Sequence, residues 1–427
     1  MLDNVKVTTL DNGCRIVTSE MSGIESVSIG IFSGAGSRFE TSSQLGHSHF
    51  LEHMLFKGSA KRSSRAISQA IESRGGNMNA YTNFESTAYY AVAPSDATTL
   101  AFDVLADMYL APKLAQTDVD KERTVIIEEV NMYHDQPDAY VVDLAQQALW
   151  TKHPLGAQIL GDIPSLQATT AESLRAYHDL HYNAKATVIA AAGNIGHDQF
   201  VALATPYAQR LPSKPAQKFK PVRETTPQTK LLFDRRETEQ VQAVIGYRTF
   251  GRYDSRRHAL NMLNTILGGN MSSRLFQIVR EKHGLAYSVA SFTSFYNDSG
   301  AFQIAAGLDR RRSVKAMALC GEVLKKMADT PVGRAEFNRA REYMIGCLRL
   351  GLETARSHMS WIGNGTLRDQ LITPAEAIEN VRAITIDDVQ SLASEIFRPE
   401  NTTVTLVMPR ENVGNPEEHL AAVTSKL

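Results

Sequence analysis

Three residues carry the chemistry: His49, Glu52 and His53, in the run Gly46-His-Ser-His-Phe-Leu-Glu-His-Met-Leu-Phe-Lys-Gly58. On an α-helix, positions i, i+3 and i+4 share one face. Two imidazoles one turn apart can hold a zinc ion, which lowers the pKa of a bound water towards ~7. The adjacent carboxylate can take that water's proton as it attacks a carbonyl. The order is the inverse of the usual His-Glu-x-x-His, but the helical face is equivalent. An amphipathic helix also produces such a pattern by chance. His47 lies outside the spacing and reads as a surface or packing histidine.

A catalytic zinc needs a third protein ligand and keeps one position open. The segment Lys121-Glu-Arg-Thr-Val-Ile-Ile-Glu-Glu-Val-Asn-Met132 offers Glu122, Glu128 and Glu129. Glu122 and Glu129 are two turns apart and face the same way, whereas Glu128 points about 100° from Glu129. A solvated acidic face has the same composition, and spacing alone does not choose the ligand.

These residues need a frame. Thr87 to Ala93, Thr187 to Ala192, Ala301 to Ala306 and Thr403 to Met408 read as short apolar strands. Asp96 to Ala111, Asp118 to His134, Arg311 to Ala328 and Gly333 to Leu350 have helical spacing. Helices come in successive runs, which predicts an α+β fold with mostly antiparallel sheets and packed helices. Residues 211 to 230 hold Pro212, Pro215, Pro221 and Pro227, so no continuous helix crosses them. The expected division is a domain over 1–212, a linker over 213–230 and a domain over 231–427. The two halves resemble each other. Thr170-Ala-Glu-Ser-Leu and Thr385-Ile-Asp-Asp-Val both read as Thr-capped helices with an acid in the first turn, each followed by a β-branched strand. Gly30 and Gly246 stand 216 positions apart in matching strands, so duplication is the expected origin.

With 427 residues, 43% hydrophobic and 21% charged, the chain has the composition of a soluble globular protein. Lys plus Arg is 45 against 46 for Asp plus Glu, without the basic excess of a nucleic-acid binder. No apolar run is long enough for a membrane span. Cys14, Cys320 and Cys347 are too few and too scattered for a disulfide framework or a cysteine zinc site. The start, Met1-Leu2-Asp3-Asn4-Val5-Lys6, lacks a secretory or transit pattern, so a cytoplasmic, bacterial setting is expected.

His49-Phe-Leu-Glu-His-Met-Leu-Phe-Lys-Gly58 resembles the signature of the inverzincin metallopeptidases, the pitrilysin and mitochondrial-processing-peptidase family. The resemblance extends over nearly the whole chain, through Gly75-Gly-Asn-Met-Asn-Ala-Tyr-Thr82, His181-Tyr-Asn, Val188-Ile-Ala-Ala-Ala-Gly193 and Ser273 to Ser288. It implies a zinc endopeptidase with one zinc per chain. Glu129 would be the third ligand beside His49 and His53, Glu52 the base, and Glu122 the carboxylate that fixes a ligand imidazole. Glu128 would be no ligand. Asn77 to Thr82 would be an edge strand to which an extended peptide adds, with Asn79 and the Ala80 backbone contacting substrate.

Arg280 and Tyr287 match the family's Arg and Tyr pair, which would hold a substrate carbonyl and donate to an oxyanion. Without the resemblance, a surface salt bridge and a core aromatic describe them better. The short chain resembles the branch in which a homodimer encloses a chamber for unfolded peptides and shares its active sites. One departure concerns specificity. The family's catalytic processing subunit has a Glu and an Asp that recognise a substrate Arg, and here these positions are Ala139 and Asp143. Asp143 remains as the substrate contact, and Asp138 reads as a helix-start acid after Pro137. The rival expectation is a non-catalytic structural core-type subunit or a peptide-binding chaperone.

Overall fold

The computed structural model describes residues 4–223, 228–411 and 413–427. Met1, Leu2 and Asp3, and the linker's Pro227 with its three preceding residues, lie outside the described residues. Residues 212–223 form neither helix nor strand, as their prolines require.

The first sheet contains β1 (Val5–Thr9), β2 (Arg15–Glu20), β3 (Ser26–Ser33), β4 (Asn77–Thr82), β5 (Thr87–Pro94) and β6 (Thr187–Gly193), in the order β1-β2-β6-β3-β5-β4. The second contains β7 (Lys230–Arg236), β8 (Gln240–Thr249), β9 (Ala286–Phe295), β10 (Gly300–Asp309) and β11 (Thr403–Pro409), in the order β7-β11-β8-β10-β9. Apart from β1, the orders correspond strand for strand. Each sheet has a single parallel pair, β2 with β6 and β7 with β11. This is the α+β, mostly antiparallel architecture expected, and the shared order supports duplication. The helix caps also repeat: the Thr170 hydroxyl accepts from the Ser173 N–H, and the Thr385 hydroxyl from the Asp388 N–H.

The expected helices form over Thr98–Leu110, Gln116–His134, Ser313–Asp329 and Arg334–Leu350. The compact units, however, do not follow the sequence halves. One comprises Met1–Val130, Ala157–Lys220 and Arg349–Glu376, and the other Asn131–Gly156, Pro221–Leu348 and Ala377–Leu427. Each half of the sequence gives one helical segment to the other unit. Inside the first unit, Met359 and Ile362 of the helix Ala355–Leu367 pack on Val17, Phe32, Ala88 and Val188, the sheet face opposite the main core. Inside the second, Val141 and Ala145 of the helix Pro137–Leu149 pack on Val244 and Val407 in the same way. Both faces of the central strands are therefore buried. They read as unbroken apolar runs rather than alternating ones.

This packing explains the repeated glycines. A Cβ on Gly30 would stand 2.5 Å from the Met359 sulfur, and one on Gly246 would stand 3.3 Å from Leu149 Cδ1. Each glycine lets the donated helix lie close to its sheet. Cys14, Cys320 and Cys347 are all free thiols. Among the described residues, no helix is long and apolar enough to cross a membrane.

Candidate metal centre

The His49 motif lies on the helix His47–Leu55 in the first unit. Gly46 precedes it at φ 88, the left-handed region, and a Cβ there would come within 2.6 Å of the Leu160 carbonyl oxygen. Only glycine suits that entry. Phe50, Leu51, Met54 and Leu55 are buried in the core and fix the helix face. The first turn's free N–H groups meet a buried carboxylate: Glu40 Oε2 accepts from Gly46 N at 2.8 Å, and Oε1 from Ser48 N at 2.7 Å. Burial pushes Glu40 up to about 7, outweighing these donors and the Ser48 hydroxyl.

The expected one-turn spacing brings the His49 and His53 rings to 4.6 Å between centroids. Val119, Ile126 and Val130 anchor the helix Gln116–His134 in the same core. Glu129 Oε2 then lies 3.8 Å from His49 Nε2 and 3.6 Å from His53 Nε2. Among the described residues, this is the one group of three His, Cys, Asp or Glu side chains whose donor atoms all lie within 4.8 Å of one another. Donors about 2.0–2.1 Å from a tetrahedral zinc stand roughly 3.3–3.4 Å apart, so both carboxylate–imidazole separations are within about half an ångström of that spacing. Two imidazoles and a carboxylate are also the chemistry zinc prefers.

The protonation states agree with metal binding. Burial, then the neighbouring His53, lowers His49 to about 3, so its ring is neutral. Its Nδ1 is buried without a hydrogen-bond partner, and packing rather than a hydrogen bond orients this ring. His53 Nδ1 lies 2.8 Å from Glu122 Oε1, which leaves Nε2 facing Glu129. Burial alone would raise the Glu122 pKa. Its hydrogen bonds with His53 and Lys57 outweigh burial and hold it below the ordinary carboxylate value. Lys57 Nζ reaches the other oxygen at 2.6 Å. Glu128 is exposed and lies outside the group.

Glu52 Oε2 accepts from the Thr82 hydroxyl at 2.5 Å. Burial raises its pKa against the opposing effects of that hydroxyl and His53. Thr82 ends β4, which is an edge strand bonded to β5 alone. On it Asn79 is exposed, and its side-chain oxygen accepts from the Ala80 N–H at 2.8 Å. His47 is buried, with Nε2 3.0 Å from the Ser173 hydroxyl, and serves packing.

The other residues singled out in the sequence lie in the second unit. Arg280 stacks on the Phe276 ring, 4.7 Å from its centroid, and stands 4.0 Å from Glu281. Tyr287, second in β9, has 76% of its surface exposed, so it is not a core aromatic. It lines an open cleft of about 490 Å³ with Glu239 and Arg310. Asp143 is half-buried on Pro137–Leu149, and Asp138 and Ala139 sit in that helix's first turn.

Sequence reasoning missed Glu40, Lys57 and Thr82. Lys57 and Thr82 stand inside the two recognised segments, but neither has a spacing that announces a partner. Glu40 carries no such signal at all.

Two family descriptions cover most of the chain: "Insulinase (Peptidase family M16)" matches residues 15–163, and "Peptidase M16 inactive domain" matches residues 168–344. The chain belongs to peptidase family M16. A Streptomyces coelicolor relative named an uncharacterized zinc protease is 38% identical, over 93% of this chain and 88% of that one. A Bacillus subtilis relative with the same description is 37% identical, over 96% and 99%. The M16 fold is also seen in two crystal structures, each with a TM-score of 0.88 and 20% identity, covering 96% of this chain and all of the other. They are a peptidase M16 inactive domain from Pseudomonas fluorescens and a protease from Helicobacter pylori.

Proposed function

We propose that this M16 chain is a zinc metalloendopeptidase that cuts internal bonds of unfolded peptides or presequence-like segments. One zinc ion per chain would be held by His49, His53 and Glu129, with Glu52 as general base. The observation that carries this reading is the meeting of three donor atoms within 4.8 Å beside a fourth side chain, Glu52, that is not among them. The rival reading, a subunit that only binds or supports, requires none of these four groups to be kept.

When bound, zinc would acidify a water and polarise the scissile carbonyl. Glu52 accepts the water's proton and delivers it to the leaving amine. Glu122 fixes the His53 ring so that Nε2 faces the ion. An extended peptide adds to the open edge of β4, where Asn79 releases the Ala80 N–H for the peptide backbone. Arg280 and Tyr287 of a second copy complete the site, giving a homodimeric chamber with shared centres. Asp143 contacts the substrate side chain. The bacterial relatives are in keeping with a bacterial, cytoplasmic setting.

The test combines metal analysis with cleavage of a reduced, alkylated protein, with and without chelator. The wild type should hold one zinc and cut in a chelator-sensitive way. His49→Ala and His53→Ala should lose the metal. Glu52→Gln should keep it and lose hydrolysis. Zinc-loaded wild type that binds peptides but cuts none in a mixed library would establish the binding-only reading instead.

A further inference from the structure

We propose that Thr82 is a positioning residue for Glu52, tethering the general base to the strand edge on which the peptide is seated. The inference rests on the reading of Glu52 as the base.

Thr82 Oγ1 lies 2.5 Å from Glu52 Oε2. That is the length of a hydroxyl donating to a charged carboxylate. The direction of the bond follows from its neighbours. Thr87, directly opposite on β5, has its Oγ1 3.4 Å from that of Thr82 and 3.0 Å from the Ala35 carbonyl oxygen. A hydroxyl has one proton to give, and that of Thr87 goes to Ala35. Thr87 can therefore only accept across the 3.4 Å gap, and the Thr82 proton goes to the nearer Glu52 Oε2. Among the described residues, Glu52 has no other hydrogen-bond partner, so one oxygen is pinned and Oε1 is left for proton transfer.

The tether is stiff. Thr82 is β-branched and has a restricted χ1. Its chain neighbours are held to β5, since Tyr81 pairs with Ala88 and the Asn83 N–H donates to the Ser86 carbonyl oxygen at 2.8 Å. It also stands where substrate would bind. The Ala80 N–H faces the open side of β4, because its acceptor is the Asn79 side chain and not β5. In an antiparallel strand, outward-facing groups recur every second residue. The N–H and C=O of Thr82 therefore share the edge with those of Ala80. A peptide pairing with this edge grips the residue whose hydroxyl orients the base. Seating the substrate and aiming Glu52 are one mechanical unit.

Two variants and two readouts test this. Thr82→Val keeps shape and strand preference but has no proton to donate, whereas Thr82→Ser keeps the donor. Misplacement of a reacting group by about 1 Å costs about 100-fold in rate. Thr82→Val should therefore lower kcat by roughly 10–100-fold, with KM within about two-fold. Its zinc content and unfolding midpoint should match wild type. Thr82→Ser should restore most of the rate. Crystal structures of the metal-free variants give the second readout, which does not depend on hydrolysis. The Glu52 carboxylate should leave its position in Thr82→Val and keep it in Thr82→Ser. An unmoved Glu52 in Thr82→Val, a wild-type kcat in Thr82→Val or equal losses in both variants would overturn the proposal. Were wild type itself inert towards peptides, the peptidase reading would fall, and the crystal structures alone would decide the tether.

Discussion

Glu122 lies one hydrogen bond behind His53, 2.8 Å from its Nδ1, and that bond decides which nitrogen is left to face Glu129. Lys57 holds the other Glu122 oxygen. A carboxylate gripped from both sides keeps the imidazole from rotating, at the cost of burying the Glu122 charge beside the site. Glu122→Gln should weaken zinc by ~10–100-fold, the usual effect of losing such a partner. Glu129→Gln should weaken it more, because a donor is lost. Glu128→Gln should leave it unchanged. Competition against a chromophoric chelator measures all three. Zinc loss in Glu128→Gln with retention in Glu129→Gln would mean that the helix register is read wrongly by one residue.

The grouping of His49, His53 and Glu129 was legible because these residues obey helical geometry. His49 and His53 are one turn apart, Glu122 and Glu129 two, and both helices are held by ordinary apolar faces. The choice among the three acids was not legible from spacing. It depends on how two helices distant in sequence are packed. Thr82 and Lys57 act through single contacts, and Glu40 through two backbone donors, that no period marks. The duplication was legible in Gly30, Gly246 and the two threonine caps. The exchange of helical segments was not, since the packing of Pro137–Leu149 and Ala355–Leu367 on sheets of the other half leaves no trace in composition.

The glycines that admit these helices should rank by clearance. In the first unit the Phe32 ring lies between Gly30 and Gly363, and added Cβ atoms would stand 2.7 and 2.2 Å from it. Overpacking of this kind typically costs about 1–3 kcal/mol. Gly363→Ala should be destabilising although alanine gains about 1 kcal/mol of helix propensity over glycine. Gly30→Ala should also be destabilising. Gly246→Ala should be milder, because its tightest approach is 3.3 Å to a Leu149 methyl. Urea unfolding gives the order. A Gly246→Ala loss larger than that of Gly363→Ala would contradict it.

Glu40 should make stability fall as pH rises. Its folded value of about 7 lies above the ordinary 4.5, so the native state holds a proton that the unfolded chain releases. The resulting stability is fully present below about pH 4.5 and is lost as pH rises through about 7. Two other titratable groups stand beside it: burial, then the Glu40 charge, raises Tyr177 well above its ordinary value, and burial lowers His47 to about 4, so both are neutral between pH 4.5 and pH 7 in the folded chain. The shift corresponds to an order of 3 kcal/mol. Glu40→Gln removes the titration, and subtracting its urea stability from that of wild type cancels the other groups. The difference should decline between pH 4.5 and pH 7. A difference that grows over this range would show that the two backbone donors outweigh burial.

Arg280 and Tyr287 provide the test of shared sites. If each chain's pair serves its partner's metal, a two-fold dimer holds two composite centres. One variant carries Glu52→Gln, and the other carries Arg280→Ala with Tyr287→Phe. Each homodimer should be nearly inactive. In a mixed dimer, one centre joins the intact Glu52 to the intact Arg280 and Tyr287, while the other centre has every lesion. Random reassortment of equal amounts makes half the dimers mixed, with one live centre in two. Recovery should therefore approach roughly a quarter of wild-type activity if the centres are independent. Pairs acting within their own chain give no recovery, because neither centre is then whole. Subunit exchange is verified first by native mass spectrometry of differently tagged chains. After that check, continued inactivity would remove the shared-site proposal and leave the assignment of His49, His53 and Glu129 untouched.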